Sequence, residues 1–206
     1  MAADTTIRRD TARRHRRKYE DRNPLQRLSL GAFHDRLAEA ISACAPRSIL
    51  DFGCGEGFLL DRLIERGVAL DGYLGVDLRG PAIAEARARH PSLDFRDADI
   101  FSFPPEGQRF DLVLASQVLE HLPAPARFLP RLAALSAGRL LLSVPHEPWF
   151  RLANLARGRD IARLGNHPEH VNHWDPESFA AFVDPYARVE RCWTAFPFVL
   201  LLARPR

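Results

Sequence analysis

The sequence predicts an α/β fold, with one doubly wound sheet of seven strands that is mostly parallel and ends in an antiparallel pair. Three observations predict it. Short apolar stretches alternate with stretches of helical periodicity, the pattern of strands joined by crossover helices. A glycine-rich turn follows the first apolar stretch. The last two apolar stretches are almost contiguous, so they must pair antiparallel, because a parallel crossover needs about a dozen residues or more.

The elements follow in order along the chain. Residues 28–45 carry Phe33, Leu37 and Ile41 four positions apart, which predicts an amphipathic helix. The seven predicted strands are SILDF (48–52), YLGVD (73–77), LDFRDADI (93–100), FDLVLAS (110–116), RLLLSVP (139–145), RVERCWTAF (188–196) and PFVLLLARP (197–205). The predicted helices between them are GFLLDRLIERG (57–67), AIAEARARH (82–90), PARFLPRLAALSA (125–137) and DPESFAAFV (175–183), the last with Asp175 as N-cap.

Composition places the chain among ordinary globular proteins. Its 206 residues are 46% hydrophobic and 27% charged, which fits one domain with a full core. The three cysteines are scattered without a CxxC pair, which argues against a disulfide framework or a zinc ribbon. The charged N-terminus does not look like a secretory signal, and the longest apolar run (192–203) is too short to span a bilayer. We therefore expect a cytoplasmic protein.

The positive charge is concentrated at the N-terminus. Residues 1–30 contain nine Lys and Arg against four Asp and Glu, whereas the whole chain carries a net charge of only +3. The run at 8–22 could contact nucleic acid or an anionic membrane, or be a solvated arm. We therefore predict a basic arm over 1–27 and a single domain over 28–206.

The stretch DFGCGEG (51–57) lies where the first strand meets the first helix. Its three glycines permit a sharp turn and a close approach of a ligand, and the helix beyond offers unpaired N–H groups. Asp77 ends the second strand, where a carboxylate can accept both hydroxyls of a ribose. Phe58 stands where a dinucleotide-binding loop needs its third glycine. The expected ligand therefore carries a ribose and a cationic group near Asp51, but no phosphate.

With these motifs the chain resembles the class I S-adenosylmethionine-dependent methyltransferases over about residues 30–206. The matching pieces are SILDFGCGEG, YLGVDL, DADI, FDLVLASQVLEHL and the terminal strand pair. The resemblance implies a Rossmann-like fold, S-adenosylmethionine as cofactor and methyl transfer. It further implies Gly53, Gly55 and Gly57 under the methionine part, Asp51 near its amino group, Asp77 on the ribose, Leu78 on the adenine, Asp99 at the adenine amino group, Ile100 beside it, and Ser116 and Gln117 at the sulfonium. For Leu78 and Ile100, plain core packing is the alternative.

Two histidine-bearing segments are candidates for the reacting centre. Within SQVLEHL (116–122), the resemblance extends to two branches that bind a divalent cation through an ExxEH motif, the ubiquinone-type O-methyltransferases and the small-RNA 2′-O-methyltransferases. It implies Glu120, His121 and His170 as metal ligands, although glutamine replaces the first carboxylate here. Without a metal, His170 or His121 could act as the base that a hydroxyl acceptor requires, with His146 next in rank. The Glu-His pair could also merely shape the pocket.

HPEHVNHW (167–174) contains two further histidines, His167 and His173, which we expect to form hydrogen bonds within the loop. The preceding segment 148–165 interleaves large apolar residues with arginines, and the family resemblance implies an acceptor lid there. Such a segment could also lie on a membrane, or simply pack on the sheet.

The sequence thus predicts methyl transfer to a small or lipid-linked acceptor, at a hydroxyl oxygen. The first alternative is RNA 2′-O-methylation, which the slightly acidic remainder of the chain disfavours, since phosphate binding needs a broad basic surface. The second is a non-catalytic protein that binds cofactor or a partner.

Overall fold

The computed structural model describes residues 24–103 and 107–206. Its strands are β1 (Ile49–Phe52), β2 (Tyr73–Asp77), β3 (Asp94–Asp97), β4 (Phe110–Ser116), β5 (Ser136–Pro145), β6 (Ala187–Ala195) and β7 (Phe198–Pro205). Its α-helices are α1 (Pro24–Cys44), α2 (Phe58–Ile64), α3 (Gly80–Arg89), α4 (Pro125–Leu135), α5 (Trp149–Ala156) and α6 (Pro176–Val183). Short 3₁₀ turns cover Leu119–His121 and Ile161–Arg163.

The seven strands form one sheet in the order β3-β2-β1-β4-β5-β7-β6. β1 to β5 run parallel, whereas β7 runs antiparallel to both β5 and β6. This arrangement confirms the predicted mostly parallel sheet with an antiparallel terminal pair. Strand order reverses between β1 and β4, and ligands of such sheets bind outside the carboxyl ends of the strands at that reversal. The glycine-rich turn follows β1, and the segment with Glu120 and His121 follows β4, so both lie at this edge.

Helices cover both faces of the sheet, so the central strands are buried on both sides. Leu50 and Phe52 point to one face, where they join a core cluster with Phe179 of α6. Ile49, the residue before Leu50, points to the other face and joins a cluster with Leu37 of α1. None of the helices in the described ranges is both long enough and apolar enough to cross a membrane.

Several element boundaries differ from the prediction. α1 begins at Pro24, four residues before the predicted start, so the predicted arm 1–27 overlaps the helix; its first 23 residues lie outside the described part of the chain. β5 begins directly after α4, at Ser136. β3 ends at Asp97 rather than at residue 100, because the Asp99 carboxylate accepts a hydrogen bond from the Phe101 amide (2.9 Å) and turns the chain.

Gly67 caps the C-terminal end of α2, as its position at the end of the helical pattern predicts. The helix itself ends at Ile64. Gly67 adopts the left-handed conformation (φ +72°), its amide donates to the Ile64 carbonyl (2.9 Å), and the Val68 amide donates to the Leu63 carbonyl (3.1 Å). These two bonds form a Schellman motif, in which glycine avoids the steric cost of the left-handed conformation.

The N-terminus of α6 generates a stability prediction. The Asp175 carboxylate accepts from the Ser178 amide (2.8 Å), and the Ser178 hydroxyl accepts from the Asp175 amide (3.0 Å). Replacing Asp175 with alanine leaves helical amides unpaired and should lower the free energy of unfolding by about 1 kcal/mol. The midpoint of urea unfolding measures the loss. The matched variant Glu177→Ala, at an exposed position of the same turn, should change stability by less than about 0.5 kcal/mol. Equal losses in both variants would contradict the cap.

Candidate functional site

The glycine-rich turn has the backbone that only glycine adopts easily. Gly53, Gly55 and Gly57 all have positive φ (+82°, +57° and +79°). The Gly53 amide donates to the Val76 carbonyl (2.7 Å), which ties the turn to β2. The Val118 side chain fills the space that a Cβ on Gly53 would need, so the turn after β1 packs directly against the segment after β4. The predicted cofactor loop and the predicted reacting segment are therefore neighbours.

A histidine that the sequence analysis missed supports the end of this turn. The His90 ring is buried behind α3, and its Nε2 lies 3.0 Å from the Gly57 carbonyl oxygen and 3.3 Å from the Asp61 carboxylate. A Cβ on Gly57 would stand 3.0 Å from this ring. His90 follows α3 in sequence, 33 residues after Gly57, and no local pattern marks it as a partner of the turn.

Asp77, the predicted ribose ligand, is buried and already heavily hydrogen-bonded. Its carboxylate accepts from the Gly55 amide (3.0 Å) and from the Arg79 amide (2.9 Å). The Arg79 guanidinium also contacts Asp77 (3.1 Å) and the buried Glu56 (3.3 Å). The sequence did not predict that an arginine would contact this carboxylate. A ribose at this position must share Asp77 with Arg79 or displace it.

The three residues expected around an adenine differ in their surroundings. Leu78 is 61% exposed just after β2, so its side chain is accessible to a flat apolar group such as an adenine. Asp99 is exposed in the turn after β3. Ile100 is 2% exposed and packs in the core, which agrees with the alternative of plain core packing. A role for Ile100 beside the adenine stays a prediction.

Asp51 lies buried beneath the turn. The Tyr73 hydroxyl donates to its Oδ2 at 2.8 Å. Burial raises the pKa of the Asp51 carboxyl to about 7, and the hydrogen bond from Tyr73 opposes that shift. A cationic group held beside Asp51 would favour the ionised form. Near neutral pH, the charge of this carboxyl therefore depends on whether such a group is bound.

Ser116 and Gln117, the residues predicted to line the sulfonium, form hydrogen bonds to Ser143 of β5. The Ser116 hydroxyl lies 2.9 Å from the Ser143 hydroxyl, and the Gln117 side-chain amide donates to the same oxygen (3.3 Å). Gln117 has a positive φ (+59°), and the 3₁₀ turn begins only at Leu119. A helix that began at residue 117 would place Gln117 on one surface with Glu120 and His121. Because Gln117 lies outside the 3₁₀ turn, it does not share that surface.

The two histidine-bearing segments meet through their backbones. The Glu120 carbonyl accepts from the amides of Val171 (2.9 Å) and Asn172 (3.2 Å). The His121 Nδ1 lies 3.0 Å from the Glu169 carbonyl oxygen. Since a carbonyl can only accept, Nδ1 carries the proton, and in the neutral ring Nε2 keeps its lone pair. The contacts thus fix both the position and the tautomer of His121.

This junction brings together the three predicted metal ligands. Glu120, His121 and His170 each offer a ligand atom, and these atoms lie within 4.8 Å of one another. Glu120 and His170 are buried, whereas His121 is half-buried, with Nε2 3.9 Å from the Glu120 carboxylate. One carboxylate and two imidazoles suit Mn²⁺, Fe²⁺ or Zn²⁺. They equally suit a base supported by a negative charge, because Glu120 would stabilise a protonated ring.

His167 and His173 both form hydrogen bonds within the loop, as expected, and His167 also contacts another ring. His167 accepts from the Glu169 amide at Nδ1 (3.3 Å), as a loop residue would, but its ring centroid also lies 4.8 Å from that of His170. It therefore belongs to the imidazole cluster. His173 is exposed and pairs with Asn166 (2.8 Å), as expected of a loop residue.

His146 lies at the end of β5, where its backbone bridges to Trp174. Partial burial lowers the pKa of its ring, and the charge of Asp175 opposes the shift. Within the described ranges no ring contact joins His146 to His121 or His170. A catalytic role for His146 stays a prediction.

Helix α5 forms a wall of the histidine cluster. The Phe150 ring lies 5.2 Å from that of His170 and 6.0 Å from that of Phe198 in the core. The Asn154 side chain donates to the Gly165 carbonyl (3.0 Å), which holds the following loop against the helix. The segment predicted to be an acceptor lid thus contacts the candidate reacting centre.

Comparison with known proteins identifies relatives. The model of a family described as "Methyltransferase domain" matches residues 14–185. Trans-aconitate 2-methyltransferase of Methylobacterium nodulans is 37% identical over 127 residues, which make up 59% of this chain and 48% of that protein. A ubiquinone biosynthesis O-methyltransferase of Bradyrhizobium sp. is 31% identical over 160 residues, 73% of this chain and 58% of that protein. The chain spans about half the length of these curated relatives.

Solved structures share the whole fold. The magnesium protoporphyrin IX methyltransferase of Synechocystis PCC 6803, with bound SAH, aligns with a TM-score of 0.69 and 23% identity. The alignment covers 98% of this chain and 100% of that one. The seven-stranded arrangement described above is therefore a known methyltransferase architecture.

The buried Asp51 generates a prediction about pH and stability. Its pKa rises from 3.8 to about 7 on folding, so the folded chain binds a proton that the unfolded chain has lost. This contribution to stability is complete below about pH 4 and disappears as the pH rises through about 7. The slope is roughly 1.4 kcal/mol per pH unit in between. Chemical unfolding of the ligand-free chain at pH 5, 6, 7 and 8 should show this decline relative to Asp51→Asn. Parallel pH curves for the two chains would contradict it.

Proposed function

This chain belongs to the methyltransferase-domain family, the class I S-adenosylmethionine-dependent enzymes that its sequence resembles, and we propose that it methylates a hydroxyl oxygen of a small or lipid-linked acceptor. The observation that carries the proposal is the junction of Glu120, His121 and His170 beside the glycine-rich turn. A carboxylate and two imidazoles next to a cofactor loop can supply the general base or the metal site that an alcohol acceptor needs. A more nucleophilic acceptor does not require either.

The cofactor would bind across the ends of β1 and β2. The glycine-rich turn allows the methionine part to approach the backbone, and Asp77 accepts hydrogen bonds from the ribose. The ammonium group would favour the ionised form of Asp51, whose pKa lies near neutrality in the ligand-free chain. The exposed Leu78 offers an apolar surface to the adenine.

Transfer itself needs little from the protein. When bound, S-adenosylmethionine would supply a methyl group activated by its sulfonium, which an acceptor oxygen would take with release of S-adenosylhomocysteine and of the hydroxyl proton. The hydroxyl proton passes to Nε2 of His121, which bears the lone pair in the tautomer fixed by Glu169. Glu120 stabilises the resulting imidazolium, since its carboxylate lies 3.9 Å from Nε2. The rings of Phe150 and His170 pack against each other beside this centre, where they would limit the access of water.

A divalent cation is the alternative use of the same three side chains. Glu120, His121 and His170 would hold it, and the bound ion would lower the pKa of an acceptor hydroxyl. One carboxylate and two imidazoles fit a transition metal. The second ring nitrogen of His121 is bonded to the Glu169 carbonyl, as is usual for a histidine that binds a metal. The Gln117 side-chain nitrogen donates to Ser143, so at the first position of the resembled motif only the amide oxygen could serve as a further ligand.

The names of relatives support an oxygen acceptor. The Bradyrhizobium relative is named an O-methyltransferase, and the Methylobacterium relative acts, by its name, on the small molecule trans-aconitate. RNA 2′-O-methylation and cofactor binding without turnover are the competing functions. Salt-sensitive binding of a short RNA would favour the former, and binding of cofactor without methyl transfer to any acceptor would favour the latter.

Cofactor binding can be tested without knowing the acceptor. Isothermal titration with S-adenosylhomocysteine should show one site per chain, and Asp77→Ala should lower the affinity at least tenfold, because the ribose loses a buried acceptor. The exposed Asp94→Ala on neighbouring β3 is the matched control and should bind as the wild type does. Absence of binding by the unchanged chain would overturn the proposed function.

The role of His121 is tested by turnover. His121→Ala should reduce kcat by about 10²–10⁴-fold with an acceptor identified by release of S-adenosylhomocysteine. The affinity for S-adenosylhomocysteine should stay unchanged. His173→Ala, in the same histidine-rich region but exposed, serves as control. An unchanged kcat in His121→Ala would rule out both the base and the metal function of this ring.

Titration with Mn²⁺, monitored by electron paramagnetic resonance, distinguishes the mechanism with His121 as a base from the mechanism with a bound metal. A specific site that disappears in Glu120→Gln supports the metal. Wild-type turnover in EDTA, without a bound Mn²⁺ signal, supports the base.

A further inference from the structure

The apolar side chains that remain exposed are concentrated on one side of the molecule. Of the ten exposed large hydrophobic residues in the described ranges, six belong to α1, α5, the loop after α5 and the β6–β7 turn. We call this set the α5 face: Leu28, Trp149, Leu152, Ile161, Leu164 and Phe196. Each is between 48% and 73% exposed. Monomeric proteins rarely expose such a patch without using it for binding.

Contacts show that the α5 face is continuous. The rings of Trp149 and Phe196 lie 6.5 Å apart. The Ser29 hydroxyl donates to the Phe196 carbonyl (2.7 Å), which places the start of α1, with Leu28, beside this turn. Leu152 follows Trp149 by three residues on the same helical side. The Arg151 guanidinium reaches the Leu164 carbonyl (3.4 Å), so the 3₁₀ turn lies against α5.

Cationic residues are interleaved in sequence with the apolar residues of α5 and the loop after it. They are Arg151, Arg157, Arg159 and Arg163, and Asp160 is the only acidic residue in the segment 148–165. Tryptophan and arginine are the side chains that suit the boundary between lipid headgroups and acyl chains, because each has an apolar body and a polar end. The combination is that of a surface helix on a bilayer rather than of a buried helix.

We propose that the α5 face docks on an anionic lipid membrane. Its apolar residues would enter the headgroup boundary while its arginines contact lipid phosphates. The basic sequence 8–22 leads into α1 at Pro24, close to Leu28, and would be attracted to the same anionic surface. Several weak cationic contacts and one apolar patch together give the two signals that stable membrane attachment requires.

Charge and composition disfavour the other occupants of this face. In a twofold dimer through the α5 face, the arginines of one copy would approach those of the other, so like charges would oppose association. The segment 8–22 contains only two apolar side chains, Ala12 and Tyr19, which are too few to cover six large hydrophobic residues.

The position of the α5 face refines the proposed function, on which this last step rests. Phe150 projects from the opposite side of α5 and contacts His170, so one helix separates the docking face from the candidate reacting centre. A lipid-linked acceptor could therefore leave the bilayer and reach the centre while the protein remains attached. This geometry assigns the acceptor to the lipid-linked class.

Vesicle binding of the full chain tests the docking. Sedimentation with vesicles of phosphatidylcholine alone, and with a third of phosphatidylglycerol, should show binding only to the anionic vesicles, weakening as salt is raised. The double variant Trp149→Asp with Leu164→Asp should bind at least tenfold more weakly. Ile64→Asp, at a residue 49% exposed on α2 and outside the α5 face, should bind as the wild type does. Circular dichroism should show that all chains melt at similar temperatures.

Three outcomes would overturn the docking: no binding to anionic vesicles, equal binding to neutral ones, or an equal loss in Ile64→Asp. A dimer in solution that the double variant dissociates would identify a second copy of the chain as the occupant instead. Titration with S-adenosylhomocysteine keeps the two proposals separate. Vesicle binding without cofactor binding would remove the methyltransferase function and leave the docking in place.

Discussion

The hydrogen bonds from the Val171 and Asn172 amides to the Glu120 carbonyl are the contact on which the candidate site depends. They join the segment after β4 to a loop about fifty residues later. Together with the contact of His121 Nδ1 to the Glu169 carbonyl and the bonds of the Asn172 side chain to the Leu119 and Leu122 carbonyls, they fix Glu120 and His121 relative to His170. Neither segment has extended regular structure of its own. Backbone hydrogen bonds, reinforced by the side chains of His121 and Asn172, thus assemble the reacting centre, and the parallel sheet places it beside the cofactor turn.

The same edge of the sheet concentrates buried charge. Asp51, Asp77 and Glu120 are all nearly inaccessible to water at the carboxyl ends of β1, β2 and β4. Burying carboxylates costs stability unless partners compensate. Tyr73 is such a partner for Asp51 and Arg79 for Asp77, whereas the His121 ring would compensate Glu120 in its protonated form. Such local costs are typical of sites kept for ligands rather than for folding. The raised pKa of Asp51 is one visible consequence.

The sequence predicted those features that local patterns encode. β2 and β4 have their predicted bounds, and the glycines adopt the left-handed backbone that their motif requires. His90, Arg79 and the packing of His167 on His170 escaped prediction because they arise only from tertiary contacts between distant segments. The pairing of His121 with His170 was anticipated through family resemblance rather than through any pattern of the residues themselves. The predicted end of a strand was wrong where a side-chain hydrogen bond turns the chain, as at Asp99.

A crystal structure with bound S-adenosylhomocysteine would test the central claim most directly. The account predicts ribose hydroxyls on Asp77, the methionine part along the glycine-rich turn, and a sulfur atom facing the imidazoles of His121 and His170. An acceptor-sized space should lie between that sulfur and Nε2 of His121. A sulfur atom directed away from these rings, or a cofactor bound without contact to Asp77, would contradict the account.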